Sequence, residues 1–296
     1  MKHSAFPAYA IASLLLLASQ FATCAQDYKV QFDFPWKVGD KFRIHSTGGE
    51  TNQFNVTQNG AALQQRATRQ TWELDAEVTV TGVSGRNMAN NIEIVVTKFV
   101  ATNQGRPAVT PQKNTTLLGS VMDGKEQFTI GGAPAEKDIH KMLKRIFDLD
   151  EGGATNDESF GTKERKRVGD EWKANTEVMA KDAGREGLTL SPSDISASTK
   201  LTQVGPVDGK NCLHVIVTGD VKNIKPPTPK DMAVKEAGMK LKISAAIPVD
   251  LKTPELALRQ SMSMRMVMQS NRQPGVEIES TSVSMISSRF THHPRP

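Results

Sequence analysis

Alternation of apolar and polar residues dominates the chain after its first 25 residues. In residues 72–80, apolar side chains take every second position, and acidic residues or threonine fill the positions between. A period of two is typical of a strand with one buried and one solvated face. Similar runs cover residues 41–46, 92–100, 125–130, 195–204, 213–221, 239–245, 261–269 and 276–289. Because solvated faces are typical of antiparallel rather than parallel sheets, the pattern predicts a mostly antiparallel sheet.

Three dipeptides punctuate these runs in the way that tight hairpins require. Asn59-Gly60, Asp123-Gly124 and Asp208-Gly209 all tolerate the positive φ angles of two-residue hairpin turns. Successive strands are therefore expected to pair with their neighbours.

A helical period appears in the middle of the chain. Apolar residues of the segment 134–149 follow the i, i+3, i+4, i+7, i+8 spacing of an amphipathic helix that buries one face against the sheet, and Pro134 suits its first position. They are Ile139, Met142, Leu143, Ile146 and Phe147. A second, shorter helix is predicted from Thr228 as cap, Pro229 in the first turn and Gly238 as terminator.

The two halves of the chain share short features. Val-Gly-Asp at residues 38–40 recurs at 168–170, each time followed after one residue by an aromatic side chain, Phe42 or Trp172, and then by a similar paired-strand pattern. We interpret this as a duplicated β-meander unit, with residues 26–149 as the first half, including the bridging helix 134–149, and residues 150–296 as the second. The predicted fold is α+β: a twisted, predominantly antiparallel, half-barrel-like sheet of two related meander halves, with one main amphipathic helix packed on it.

The first 25 residues have the features of an export signal. Lys2 supplies positive charge, residues 10–18 are mostly apolar, and Thr23-Cys24-Ala25 offers small residues for cleavage. A membrane span needs about 20 apolar residues, and this core is interrupted by polar ones. We expect a signal peptide cleaved after Ala25 and an exported protein, periplasmic or extracellular; lipid attachment at Cys24 is the alternative.

Composition and charge narrow the function classes. The leader holds one basic residue and no acidic one, so the mature chain has 36 Lys+Arg against 32 Asp+Glu, a net charge of +4. That charge is too small to indicate a nucleic-acid partner, and aromatic residues make up only 5%. Cys212 is then the single cysteine, expected in a strand. His292 and His293 fall in a Pro-ended tail that is expected to be disordered.

Motifs of known chemistry are missing from the sequence. It has no Gly-x-Ser-x-Gly, no His-Glu-x-x-His, no Gly-x-x-x-x-Gly-Lys-Ser/Thr and no Cys/His metal spacing. We therefore expect no cofactor, no metal and no enzymatic activity. A basic cluster at residues 163–167 is expected to be a solvated strand entry.

One strand carries the candidate binding residues. Met262, Met264, Met266 and Met268 lie on one face of the run 261–269. Thioether side chains are flexible and polarizable, so such a row could line an adaptable apolar pocket. Ordinary core packing against the helix 134–149 and, less readily, a copper(I) site are the alternatives.

The two Val-Gly-Asp motifs, the meanders, the bridging helix and the segment Pro-Val-Asp-Leu-Lys-Thr at residues 248–253 together resemble a family of exported bacterial proteins of unknown function. That family is similar in plan to LolA/LppX-like lipoprotein carriers, whose curved sheet half-encloses a helix and can hold an acyl chain. The resemblance implies an apolar ligand and carries no catalytic residues. We expect a non-catalytic protein that holds a lipid or other apolar molecule between sheet and helix. The alternative is a scaffold with a filled core that docks an envelope protein.

Overall fold

The computed structural model describes residues 26–185 and 187–293. The predicted signal peptide, with Cys24, lies outside these residues. Thirteen strands occur in the described residues: β1 (Lys41–Gln58), β2 (Ala61–Val83), β3 (Ala89–Asn103), β4 (Arg106–Pro107), β5 (Thr116–Met122), β6 (Lys125–Ile130), β7 (Ala133–Pro134), β8 (Glu171–Lys173), β9 (Ile195–Val207), β10 (Lys210–Val221), β11 (Met232–Pro248), β12 (Ala257–Ser270) and β13 (Val276–His292). The helices are α1 (Lys137–Ile146), α2 (Asn156–Phe160) and α3 (Thr176–Arg185), with a 3-10 turn at Pro192–Asp194.

The strands form one open sheet in the order β7-β6-β5-β3-β2-β1-β13-β12-β11-β10-β9-β8, with β4 beside β3. Every strand pair is antiparallel. Strands β1 to β7 lie in chain order, apart from β4, and so do strands β8 to β13. They meet where β1 pairs with β13 from Phe42↔His292 to Gln58↔Val276. The predicted antiparallel α+β fold is confirmed.

Each of the nine predicted strand runs lies within an observed strand, although β1 and β2 extend well beyond their predicted ends. The three predicted turns also form: both residues of Asn59-Gly60, Asp123-Gly124 and Asp208-Gly209 have positive φ. These local signals succeed because period-two burial and tolerance of positive φ are properties of the residues themselves.

The predicted bridging helix 134–149 buries the expected residues but begins later than predicted. The five predicted apolar residues of the bridging helix are all buried, but α1 begins at Lys137 because Ala133 and Pro134 pair with β6 as the short strand β7. The predicted helix at 228–238 is wrong. Residues from Met232 onward enter β11 and pair with β12 around a bulge between Val234 and Glu236, and inter-strand pairing outweighs the helix-boundary signals.

The two Val-Gly-Asp motifs form the same turn. In each, a positive-φ glycine, Gly39 or Gly169, donates its amide to the carbonyl oxygen of Val80 or Leu201, which lies on the strand that pairs with the one the motif opens. The aspartate side chain accepts from the amide three residues earlier, at 2.8 Å for both Asp40 and Asp170. The two motifs are therefore equivalent in local structure as well as in sequence. Duplication of the whole halves stays a prediction.

The helices all pack on one face of the sheet. Buried residues of α1 share a cluster with apolar residues of β1, β2, β3 and β13, and α2 and α3 contact apolar residues of β10 and β11. At Gly48 the sheet admits no side chain, because a Cβ atom there would lie 2.4 Å from the Trp72 ring. None of the helices in the described part of the chain has the length and hydropathy of a membrane-spanning helix.

Candidate ligand-binding cavity

A cavity of about 550 Å³ lies between the helix-bearing face of the sheet and the segments that cover it. Its floor is formed by side chains of β10 to β13, among them Leu241, Ile243, Leu258 and Ile286. Its volume falls within the ~300–1,000 Å³ typical of small-molecule sites. The apolar space that the sequence predicts between sheet and helix is therefore present as a cavity.

Aromatic residues of the segment 32–36 and of β1 form one wall. Phe34 and Trp36 meet edge to face with ring centroids 5.2 Å apart, and Trp36 lies 5.3 Å from Phe42. The amide of Trp36 donates to Asn87 O at 2.8 Å. The amide of Phe32 donates to Asp157 Oδ1 at 2.7 Å. These backbone bonds hold the segment 32–36 across the sheet face.

Asp148 enters the cavity from the end of α1. The chain leaves the helix in extended conformation at Phe147, so Phe147 and Leu149 point into the core and Asp148 points the other way. Leu149 N donates to Glu126 Oε1 at 2.6 Å and Asp150 N to Ala89 O at 2.9 Å. This segment is therefore fixed on both sides of Asp148.

Glu255 enters from the β11–β12 connection. It lies between buried Pro254 and Leu256, and Leu256 is held by backbone hydrogen bonds to Ala246 and Phe290 of 2.9 Å each. His292 Nε2 donates to the Glu255 carbonyl oxygen at 3.0 Å. These contacts leave the Glu255 side chain lining the cavity.

The electrostatic surroundings of both carboxyl groups disfavour ionisation. Burial raises the pKa of Glu255 to about 7, and the Asp148 and Asp33 carboxylates add to the rise. Burial also raises the pKa of Asp148 to about 6, with Asp33 the largest acidic contributor. The Asp148 side chain is exposed to open space, whereas Glu255 is half-buried.

A second, polar cavity of about 500 Å³ adjoins the first. Asp148, Lys144 and Leu149 line both. Several of the ionic side chains that line the polar cavity are already paired: Arg86 with Asp150, and Lys144 with Glu151 at 3.0 Å. The site therefore has an apolar chamber and a polar chamber, with Asp148 at their boundary.

The predicted methionine row lies beside this site. Met262, Met264, Met266 and Met268 share the helix-bearing face of β12 and are half-buried. Leu258 and Gln260, on the same face of β12, line the apolar cavity, and the row continues the surface away from it. Met262 pairs with Leu241 and Ser284, which are lining residues.

Farther along the row, Met266 packs with Met239 and Val234 near α3. Ligand contact by the methionines stays a prediction, as does their alternative role in the core.

The expectation of a disordered histidine tail is wrong. His292 is the last residue of β13 and is half-buried, with its ring centroid 5.7 Å from that of Phe42 and 6.1 Å from that of Trp36. Burial lowers the pKa of His292, against the effect of its hydrogen bond to Glu255. The tail is ordered to this point because β13 pairs with β1 along its full length.

The structure also shows the contacts of the basic cluster at residues 163–167 and of Cys212. In the basic cluster, Arg167 contacts Asp27 at 2.6 Å and the Lys166 ammonium lies 5.7 Å from the centre of the Trp172 ring. Cys212 is buried in β10 as a free thiol, and burial raises its pKa. These contacts hold the strand entry and the sheet together.

Sequence reasoning missed two sets of residues. Asp33, Asp148 and Glu255 come from three distant segments, so no spacing could reveal them. On the outer face of the sheet, His45, Glu73 and Asp75 bring potential metal-ligand atoms within 4.8 Å of one another. There, His45 Nδ1 lies 2.6 Å from Asp75 Oδ1, and Lys98 Nζ lies 2.6 Å from Glu73 Oε1. The cross-strand register of β1 and β2 could have indicated this cluster.

Comparison with known proteins gives no family. No family model matches the chain, and no curated protein matches it. Among solved structures, "Lipid-protein interactions in lipovitellin" has a TM-score of 0.38 at 9% identity, covering 88% of this chain and 26% of that one. The P. putida toluene transporter TodX has a TM-score of 0.15 at 7% identity, covering 90% and 94%. The chain thus spans about a quarter of the lipovitellin chain, and at TM-scores below 0.5 neither likeness bears on what it binds.

Proposed function

We propose that the protein is an exported, non-catalytic carrier that binds an apolar small molecule in the cavity between the sheet and its covering segments. The observation that carries this proposal is the apolar floor and aromatic wall of the 550 Å³ cavity. Burial of apolar ligand surface there would contribute roughly 25 cal/mol per Å². Export rests on the sequence of the N-terminus alone.

The cavity supports a binding role over the scaffold alternative. A scaffold needs a filled interior and an outward apolar patch. Here the space lies inward, and the sheet's opposite face carries ion pairs such as Arg43 with Glu77 at 2.6 Å and Arg265 with Glu279 at 2.7 Å. A sheet face that carries such ion pairs is suited to contact with water rather than with an apolar partner surface.

Binding of a neutral apolar dye, N-phenyl-1-naphthylamine, tests the proposal. Leu258→Trp fills the cavity from β12, whereas Arg259→Trp adds the same ring at the next residue, which is exposed on the opposite face. We expect dye titrations followed by fluorescence to show affinity weakened by about tenfold or more, about 1.4 kcal/mol, in Leu258→Trp. Arg259→Trp should bind as the natural chain does.

Circular dichroism establishes that both variants remain folded. Equal dye affinity in two folded variants, or no binding by the natural chain, would overturn the proposal.

A further inference from the structure

We propose that the ligand of this cavity is an amphiphilic cation: an apolar chain in the cavity and a positively charged nitrogen group beside Asp148 and Glu255. This inference rests on the proposed function and names the ligand class of the same site. Three structural features support it: the balance of charge in the cavity, the aromatic wall, and the adjoining polar chamber.

The first feature is the balance of charge among the residues that line the cavity. Among the described residues, the carboxylate groups of Asp148 and Glu255 have no hydrogen-bond or salt-bridge partner, although both line the cavity and Glu255 is half-buried. Uncompensated carboxylates in such a place are costly. A ligand cation would compensate them, because opposite charges attract more strongly where water is scarce.

The two cations that line the apolar cavity are already paired with carboxylates. Arg145 lies 2.7 Å from Glu50, and Lys144 lies 3.0 Å from Glu151. Asp33, the remaining acidic lining residue, accepts the amides of Asn156 and Asp157 at 3.2 and 2.8 Å. The charge left without compensation within the apolar cavity is therefore negative, and a ligand with an anionic headgroup would be repelled.

The walls suit the same ligand. Trp36, Phe34 and Phe42 present aromatic rings to the cavity, and aromatic faces attract quaternary and primary ammonium groups. Asp148 stands where the apolar and polar chambers adjoin. A molecule with one apolar and one charged end matches this arrangement.

Three probes with the same ten-carbon chain separate the charge inference from the proposed function: decyltrimethylammonium, 1-decanol and decanoate. Calorimetric titration at pH 8, below micellar concentrations, should give affinities in the order cation, alcohol, carboxylate, with about tenfold or more between cation and alcohol. Asp148→Asn and Glu255→Gln should each remove most of this preference. Asp123→Asn, in an exposed turn, is the control and should leave it unchanged.

The outcomes are distinct. If all three probes bind equally, and Leu258→Trp weakens all of them, the cavity binds apolar chains but the charge inference is wrong. If no probe binds, or Leu258→Trp changes none of the affinities, the proposed function itself fails. A cation preference that survives both carboxyl substitutions in folded protein also overturns the inference, because the charge would then be recognised elsewhere.

Discussion

At the scale of single residues, the described chain separates two kinds of carboxyl group. Those on the outer face of the sheet are exposed and paired, such as Glu77 with Arg43. Those that line the cavity, Asp148 and Glu255, have no such partner among the described residues and have raised pKa values. Residues of the first kind contribute little to stability. Those of the second kind reduce stability when they are ionised, because their pKa values are higher in the folded than in the unfolded state.

The cost of Glu255 can be measured through its pH dependence. The pKa of an unfolded glutamate is about 4.3, whereas that of Glu255 in the folded protein is about 7. The folded state therefore holds the proton more tightly, and stability falls as pH rises between these values. We expect Glu255→Gln to increase the free energy of unfolding by about 3 to 4 kcal/mol at pH 8 and to change it little at pH 4.

Urea unfolding at both pH values checks this expectation. Glu171→Gln alters an exposed glutamate of β8 and should have no effect at either pH. An equal effect of Glu255→Gln at pH 4 and pH 8 would show that ionisation is not the cause.

At the scale of elements, one buried glutamate anchors α1 to the sheet. Glu50 of β1 is 5% exposed and lies 3.0 Å from Lys141 Nζ and 2.7 Å from Arg145. These two cations are four residues apart, on one face of the helix. Although burial opposes ionisation, hydrogen bonds from Asn52 and Lys141 and the charge of Arg145 lower the pKa of Glu50. The helix end that presents Asp148 is positioned by this contact.

Loss of the Glu50 charge should loosen the helix. Glu50→Gln leaves two cations facing a neutral amide, and we expect the free energy of unfolding to fall by about 2 kcal/mol at pH 7. Glu77→Gln removes the same charge from an exposed pair on β2 and should give no measurable change. Chemical unfolding of both variants makes the comparison. Equal losses of unfolding free energy in the two variants would show that burial of the Glu50 contact does not contribute to stability.

At the scale of the whole molecule, the two predicted halves share one sheet. The long β1–β13 pairing joins them, and the apolar cavity takes lining residues from both, including Ile92 and Val217. Separation of the halves would expose the edges of both strands and divide the cavity. The halves are therefore expected to unfold together, whatever their origin.

Single-tryptophan variants test this cooperativity. Trp72 reports on β2, and Trp172 reports on β8 with its indole N–H bonded to Phe160 O at 2.8 Å. We consider full-length variants in which Trp72 or Trp172 is the single tryptophan, Trp36 being replaced in both. In each variant we expect the fluorescence and far-ultraviolet circular dichroism transitions in urea to have the same midpoint. Midpoints that separate in either variant would indicate that the halves unfold independently.

The sequence by itself determined the antiparallel sheet, its hairpin turns and the buried face of α1, because each follows from alternation, helical period or backbone preference within a few residues. It failed where distant pairing intervened: β11 replaced the helix predicted at 228–238, and β13 ordered His292. Only the tertiary structure decided the cavity. Asp148 and Glu255 are 107 positions apart, and their meeting at one cavity depends on how helix, loop and sheet pack together.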